Sequence, residues 1–166
     1  VRQYISDVHL IVAGPDNIGY FPQAKQYFAE AGCLEAVTFT GMLTGEAKAQ
    51  ALELAEVYVS PSYSEGFSMS VLEGMAAGLP CVITTGCNFP EAKENEAAYV
   101  VDIDSHAIAV ALSHCLQNPQ EAKALGQRAR QFILQHYTWD SVATQLVQSY
   151  TEIVEPESAL KPVIKL

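Results

Sequence analysis

The sequence of 166 residues is poor in basic side chains. Nine Lys and Arg stand against nineteen Asp and Glu, which gives a formal net charge of −10. Nucleic acids and anionic membrane surfaces both attract basic segments, so this composition argues against either kind of partner. No apolar run reaches the length of about eighteen residues that a membrane-spanning helix needs. We therefore expect no nucleic-acid partner and no direct membrane insertion.

Metal and dinucleotide motifs are also missing. The four cysteines form no C-x-x-C pair and have no histidine at zinc-ligand spacing. No Gly-x-Gly-x-x-Gly run follows a predicted strand, which argues against a dinucleotide-binding oxidoreductase. Cys81 and Cys115 lie in apolar surroundings typical of reduced buried thiols, whereas Cys87 lies in a loop that could expose it. We expect a cytoplasmic protein without a structural metal or a cofactor.

Short apolar runs alternate with helical periodicity along the chain. Hydrophobic residues make up 49% of the sequence, enough for a core. The predicted strands are Leu10–Ala13, Val37–Thr40, Val57–Val59, Cys81–Ile83 and Ala98–Val101. Predicted helices cover Pro22–Ala31, Glu46–Ala55 and Val71–Ala77, and three more follow Ser105, Asn118 and Thr138. This alternation predicts an α/β fold with a doubly wound parallel sheet.

Local patterns add more detailed expectations. The continuous apolar run Leu10–Ala13 predicts a strand buried on both faces. Ser105 and Thr138 are predicted N-caps of two helices. We expect one domain over residues 1–154 and a tail over 155–166. The predicted core side of the last helix consists of Val142, Leu146, Tyr150 and Ile153.

One segment, Ser60–Pro80, has the pattern of an anion site at the carboxyl end of a strand. Gly66 lets the backbone approach a ligand closely. The amides of residues 66–70 would point out of a helix start, where free N–H groups and the helix dipole favour an anion. Glu65 and Glu73 bracket these amides. A phosphate between two hydroxyl-accepting carboxylates suits a sugar nucleotide.

The same residues have a second interpretation that needs no ligand. Ser70-Val71-Leu72-Glu73 is also a capping box. Glu65 can be a solvated loop residue, and Phe67 is as typical of packing as of ligand contact. Motifs of this length recur by chance, so spacing alone leaves both interpretations open.

The segment resembles the motif of family-4 glycosyltransferases of the GT-B fold. The matching residues are Pro61-Ser62, Glu65-Gly66-Phe67, Glu73 and Met75-Ala76-x-Gly78-x-Pro80. The resemblance continues in order over about 150 residues, which is far more specific than one motif. It includes Leu10–Gly14, Val37–Gly41, Gly86–Glu91, Tyr137–Trp139 and Tyr150. The chain is identified as a member, similar to the C-terminal, donor-binding lobe, which has a Rossmann-like sheet.

The resemblance implies a reaction and residue roles. The family transfers a hexosyl group from a nucleotide-sugar donor to an acceptor, with retention and without a metal ion. Glu65 is implied as the catalytic residue at the donor sugar, and Glu73 as the acceptor of ribose hydroxyl bonds. Asn88 and Glu91 are weaker candidates in a loop that approaches the sugar. The residues implied to hold the sugar and diphosphate are Gly66, Phe67, Ser68, Met69 and Ser70.

The family pattern also includes parts that this sequence lacks. These are an N-terminal acceptor-binding lobe and the opening strand and helix of the donor lobe, which carry an Arg and a Lys for the diphosphate. The absent strand would lie between those predicted at Leu10–Ala13 and Val57–Val59. Residues 163–166, direct pairing of the two strands or a partner chain could fill its place; otherwise the tail is frayed. Gly74 and Ser68 stand where the family often has Ala and Gly.

Local charge predicts weak donor binding. From Leu52 to Asp104 there are nine acids and one base, Lys93. A diphosphate would meet almost no cationic side chain, and each charged hydrogen bond is worth about 1.5–3 kcal/mol. We expect this chain alone to be inactive, the activity to belong to a parent enzyme, and that enzyme to lie at the inner membrane face if the missing lobe docks there. The alternative is a non-catalytic orphan α/β module with a partner-binding or structural role; a homo-oligomer is compatible with both.

Overall fold

The computed structural model describes residues 1–154 as five strands and seven helices; each strand is followed by one helix, and two further helices come last. The strands are β1 (Leu10–Ala13), β2 (Val37–Gly41), β3 (Tyr58–Ser60), β4 (Cys81–Thr84) and β5 (Tyr99–Val101). The first four helices are α1 (Phe21–Glu30), α2 (Gly45–Leu54), α3 (Met69–Ala76) and α4 (Pro90–Glu94). The last three are α5 (Ser105–Gln117), α6 (Pro119–His136) and α7 (Trp139–Val154).

All strand pairs are parallel, and the strands form two sheets. β1 pairs with β2, and β4 lies between β3 and β5. The prediction of an α/β fold with parallel strands is thereby confirmed. Within residues 1–154 no ladder joins β1 to β3, so the expected alternative of direct pairing between these strands is wrong. Residues 163–166 and the whole predicted tail, 155–166, lie outside the described residues.

The core is centred on β4, in which every residue is buried. Side chains alternate between the faces of a strand, so β4 serves two layers. Cys81 and Ile83 pack with residues of α3, α4 and α6, and Val82 packs with residues of α5 and α6. Of the described residues before Ser60, only Ala36 is a buried hydrophobic residue. The packed core therefore lies in the half of the chain that follows β3.

The prediction that β1 is buried on both faces is wrong. Its residues alternate between half-buried and exposed, and Ile11 is 47% exposed. Neither α1 nor α2 contains a buried residue, so the layer that would cover β1 is thin. The apolar run indicates a strand, but burial depends on what packs over it.

The predicted core side of the last helix is also wrong. α7 contains no buried residue, and Leu146, Tyr150 and Ile153 are exposed. Trp139, the first residue of α7, is 87% exposed. The reason is that α6 already covers the core with residues such as Phe132 and Ile133, while α7 packs outside α6.

Helix caps and thiols show two further differences. Asp104, rather than Ser105, caps α5, because its carboxylate accepts a hydrogen bond from the Ala107 amide at 2.8 Å. Thr138 caps α7 as predicted, since its Oγ1 accepts from the Ser141 amide at 3.2 Å. Cys87 is buried, against the expectation that its loop exposes it.

Cys81 and Cys115 are buried as predicted. Burial raises the pKa of the Cys115 thiol to about 11 and that of Cys81 further, which keeps both thiols protonated and inert at neutral pH. None of the helices described within residues 1–154 has the length and apolar character of a membrane-spanning helix.

We expect Gly126→Ala to destabilise the protein because α6 crosses the turn after α3 in close contact. A Cβ at position 126 would lie 2.0 Å from the carbonyl oxygen of Gly78, so backbone would have to move. The expected loss is about 1–3 kcal/mol of unfolding free energy, measured by urea denaturation. Gln127→Ala, an exposed change on the same helix, is the control and should stay within about 0.5 kcal/mol. Equal midpoints for both variants would contradict this contact.

Acid stability should depend on Glu121. Its carboxylate lies 3.2 Å from His114 Nε2 and accepts from the Tyr99 hydroxyl at 3.2 Å, and these hydrogen bonds, that of His114 first, lower its pKa below the ordinary 4.5. A carboxyl group with a lowered pKa stabilises the folded protein at pH values above the pKa that it has in the unfolded chain. This stabilisation is lost as the pH falls through the lower pKa of the folded state. Urea denaturation from about pH 6 to pH 3 should therefore show a smaller acid loss for Glu121→Gln than for the wild type. Glu94→Gln, an exposed change on α4, should keep the wild-type slope, and identical slopes for both variants would refute the role of Glu121.

Candidate functional site

The candidate site is built on Pro61–Ser68, named the site loop, which joins the carboxyl end of β3 to α3. Ligands of doubly wound sheets bind at this edge. The end of β4 and the residues just after it hold the loop through two hydrogen bonds. Thr84 Oγ1 donates to the Ser62 carbonyl at 2.5 Å, and the Glu65 amide donates to the Gly86 carbonyl at 2.8 Å. The position of Glu65 is therefore set by the neighbouring strand.

Gly86 permits this close approach. A Cβ there would lie 2.2 Å from the carbonyl oxygen of Ser62 and 2.6 Å from that of Tyr63. Real Cβ atoms do not come so near to backbone oxygen, so a side chain at position 86 would push the two loops apart. Gly86 belongs to the stretch Gly86–Glu91 of the family resemblance, but its sequence position alone indicates no role for it.

The Glu65 side chain is half-buried and oriented by hydroxyl groups of the same segment. Its Oε1 accepts from Ser62 Oγ at 2.8 Å, and Ser62 Oγ lies 3.3 Å from Ser60 Oγ. Within residues 1–154, Glu65 Oε2 makes no hydrogen bond. The carboxylate thus has a fixed direction and one oxygen available for a ligand hydroxyl.

The N-terminus of α3 is open. Ser68 is the N-cap residue, yet no side chain caps the helix, and the first helical bond runs from the Leu72 amide to the Ser68 carbonyl at 3.2 Å. The amides of Met69, Ser70 and Val71 therefore point out of the helix start, where an anion is favoured. Ser68 Oγ is buried beside Ser70 Oγ at 3.1 Å.

The capping-box interpretation is wrong in this structure. A capping box requires Ser70 at the N-cap, but α3 begins at Met69, which makes Ser70 the second helical residue. Glu73 does not turn back to a cap amide. Its Oε1 instead forms an ion pair with Lys48 Nζ of α2 at 2.5 Å.

Lys48 is a site residue that the sequence analysis missed. It lies four residues before the acidic stretch from Leu52 to Asp104. The expectation of almost no cation beside the site is therefore corrected by this lysine. Both side chains are about 40% exposed (41% and 39%), and such a pair contributes only about 0–1 kcal/mol to stability. Its effect is mainly on charge and direction: Lys48 neutralises Glu73 and fixes one of its oxygens, and Oε2 makes no hydrogen bond within residues 1–154.

Tyr58 is a second missed residue, and it lies beneath the site. Burial raises the pKa of Tyr58 above its ordinary value. A Cβ on Gly74 would lie 2.7 Å from the Tyr58 ring, which explains glycine where the resemblance often has alanine.

The remaining predicted residues lie in two places. Phe67 is 49% exposed and packs on Phe89, with ring centroids 5.5 Å apart, so it has a packing role whether or not it also touches ligand. Gly66 and Met69 are exposed at the loop and helix start. Asn88 is exposed in a left-handed conformation. A separate cavity of about 320 Å³ is lined by Glu91, Asn95, Phe132, His136, Tyr137 and Gln145.

The arrangement combines open helix amides with two partly exposed carboxylates at the carboxyl ends of parallel strands. Amides hold an anion, and carboxylates accept hydrogen bonds from hydroxyl groups. Within residues 1–154 no three His, Cys, Asp or Glu side chains are grouped as metal ligands. The fold and site together define an α/β lobe suited to a phosphorylated, hydroxyl-rich ligand.

Solved structures have the same fold. The chain is similar to the C-terminal domain of a glycosyl transferase group 1 family protein (LpcC) from Francisella tularensis, with a TM-score of 0.70, 21% identity and coverage of 83% of this chain and 74% of that one. It is also similar to Anabaena HepE in complex with UDP, with a TM-score of 0.77, 18% identity and coverage of 87% and 41%. The fold is that of the C-terminal domain of GT-B glycosyltransferases.

Sequence comparison gives the family. Residues 1–118 match the family described as Glycosyl transferases group 1, and the chain belongs to it. It is 33% identical over 135 residues to the MMP alpha-(1->4)-mannosyltransferase of Mycolicibacterium hassiacum, covering 78% of this chain and 32% of the relative. The chain thus spans about a third of the length of that relative. The predicted family is confirmed.

We expect Gly86→Ala to displace the site loop. The added Cβ meets the Ser62 and Tyr63 carbonyl oxygens, so backbone amide chemical shifts across residues 62–66 should change, with a loss of about 1–3 kcal/mol in stability. Thr85→Ala, an exposed change next to it, should alter only its immediate neighbours. If both variants gave the same spectrum over residues 62–66, the contact would not hold the loop.

Proposed function

We propose that this chain is the donor-binding domain of a glycosyltransferase that transfers a hexosyl group from a nucleotide sugar to an acceptor. The observation that carries the proposal is the uncapped start of α3, whose free amides lie in sequence between Glu65 and Glu73. This arrangement belongs to a chain of the Glycosyl transferases group 1 family.

Each group has a proposed role. The amides of residues 66–70 hold the sugar and diphosphate, and Glu73 Oε2 accepts from the ribose hydroxyls while Oε1 stays with Lys48. Glu65 faces the donor sugar, held by Ser62. When the bond between the sugar and the diphosphate breaks, negative charge grows on the leaving oxygen. Preoriented amides and the helix dipole stabilise that charge, which lowers the barrier.

Further parts of the proposal come from the family resemblance. We propose transfer with retention and without a metal ion or other cofactor, the nucleotide sugar being a substrate. The name of the mannosyltransferase relative and the UDP bound by HepE support a hexosyl donor joined to a nucleoside diphosphate. The free thiols described in residues 1–154 suit a reducing compartment, so we propose a cytoplasmic enzyme, placed at the inner membrane face if an acceptor-binding lobe docks there.

The lobe by itself should bind its donor weakly and not turn over. Lys48, the cation found beside the site, is already paired with Glu73 and contributes little extra charge to a diphosphate. The family pattern places an Arg and a Lys at the diphosphate, and this sequence shows neither. Without two such charged hydrogen bonds, each worth about 1.5–3 kcal/mol, donor binding weakens by factors of hundreds or more. Transfer also needs acceptor-binding groups, which we propose to lie in a second lobe.

One observation favours the alternative of a non-catalytic partner-binding module. The exposed apolar side chains of α7, among them Trp139, Tyr150 and Ile153, offer a surface for another protein. A module of this kind would not bind a sugar nucleotide.

A titration with UDP- and GDP-hexoses, followed by amide NMR, tests the proposal. We expect shifts concentrated in residues 65–73 and a dissociation constant above about 100 µM. Glu73→Gln should weaken binding at least about fivefold, because a charged acceptor of the ribose hydroxyls is lost. Glu53→Gln, an exposed change on α2, is the matched control and should bind as the wild type does.

Each contrary outcome has a distinct meaning. Silence at residues 65–73 would contradict the donor site and favour the partner-binding module. Micromolar affinity by calorimetry would keep the donor site but refute the prediction of weak binding. Equal effects of Glu73→Gln and Glu53→Gln would remove Glu73 from the proposed site.

A further inference from the structure

We propose that Tyr137 is a positioning residue for the site loop and acts through the ring of Phe67. It deepens the proposed function, because the loop it holds is the proposed donor site. Tyr137 lies at the junction of α6 and α7, about seventy residues along the chain from Phe67, and its ring stacks on that of Phe67 in the site loop.

The site loop is held firmly only in its first part. Ser62 and Glu65 form its hydrogen bonds to the end of β4 and the residues just after it. Beyond Glu65, no backbone hydrogen bond within residues 1–154 joins Gly66 or Phe67 to another element. The next bond is the Leu72 amide to the Ser68 carbonyl, inside α3. The stretch that leads into the open amides therefore depends on the Phe67 side chain for its position.

The Phe67 ring rests on two aromatic partners. It stacks on Tyr137, with centroids 5.7 Å apart and an angle of 29° between planes, and meets Phe89 edge-on at 5.5 Å. Tyr137 in turn lies against Phe89 at 5.4 Å and Phe132 at 5.5 Å, and both of these are buried. Its amide also donates to the Ile133 carbonyl at 2.9 Å, which fixes it to the end of α6. Tyr137 is thus fixed by buried partners, and the half-exposed ring of Phe67 packs on it.

Because Phe67 is half-exposed, its contact with Tyr137 positions the site loop rather than holding the core together. Phe89 and Phe132 are buried and hold the core together, whereas about half of Phe67 faces solvent (49%). Loss of the Phe67–Tyr137 pair should therefore loosen the loop more than it destabilises the fold. Pairs of this kind change an equilibrium about 3- to 10-fold.

Hydrogen exchange of the full chain tests the inference without any ligand. The reporters are the amides of Glu65 and Leu72, which bond to the Gly86 and Ser68 carbonyls on either side of Phe67. Tyr137→Leu should speed their exchange about 3- to 10-fold. Tyr137→Phe keeps the ring and should rescue the wild-type rate to within about twofold. The amides of β4, in which every residue is buried, report global opening.

Two further variants keep the test decisive. Trp139→Leu removes a neighbouring aromatic ring that is exposed, and should leave Glu65 and Leu72 at the wild-type rate. Phe67→Leu removes the same ring pair from its exposed side, and should reproduce Tyr137→Leu; it decides the question if Tyr137→Leu does not fold.

The outcomes are distinct. If Tyr137→Leu and Trp139→Leu act alike, or if the β4 amides accelerate as much as Glu65, Tyr137 has a structural role only and the inference is overturned. Where the wild type binds a UDP- or GDP-hexose, Tyr137→Leu should weaken binding by about the factor seen in exchange. If the wild type binds neither, the proposed function fails, while the exchange rates still decide whether Tyr137 positions the loop.

Discussion

The site loop depends on its contact with the segment that follows β4. Thr84 and the Gly86 carbonyl bond to the loop, and glycine at position 86 leaves no side chain between the two segments. β4 is also the most deeply buried strand, with packed layers on both faces. The loop that carries Glu65 therefore takes its position from the most constrained part of the core, which keeps the proposed catalytic carboxylate and the helix start in a fixed relation.

In the proposed site, an acidic chain binds an anion through backbone amides rather than through basic side chains. The net charge of −10 disfavours a diphosphate, and two carboxylates at the site add to the repulsion. Lys48 offsets one of them, since it lies 2.5 Å from Glu73, and the open amides of α3 supply partial positive charge without a cationic side chain. In the proposed donor complex, hydroxyl groups on either side of the phosphates meet carboxylate oxygens, which favours a sugar nucleotide over a bare phosphate.

Much of the fold and the loop could be predicted from sequence, because local chemistry determines both. The alternating runs give the parallel α/β order, and Gly66 before a helix gives the open amides. The failures concern contacts between distant elements. Lys48 meets Glu73 from 25 residues away, and no spacing rule links them. An apolar stripe such as that of α7 is the same whether it faces this chain's core or another surface, so pattern cannot decide its burial.

The two halves of the described chain are packed unevenly, and the proposed site uses residues from both. The site loop and α3 belong to the packed half, whereas Lys48 is on α2, which buries none of its own residues. Leu52 and Ala55 pack against the core only in part. Local opening takes place first where few apolar contacts hold an element. The cation of the site is therefore held less firmly than its amides, and opening of α2 would restore the full charge of Glu73 without displacing the loop. The proposed donor site thus combines a rigid backbone part with a lysine whose position depends on the weaker half.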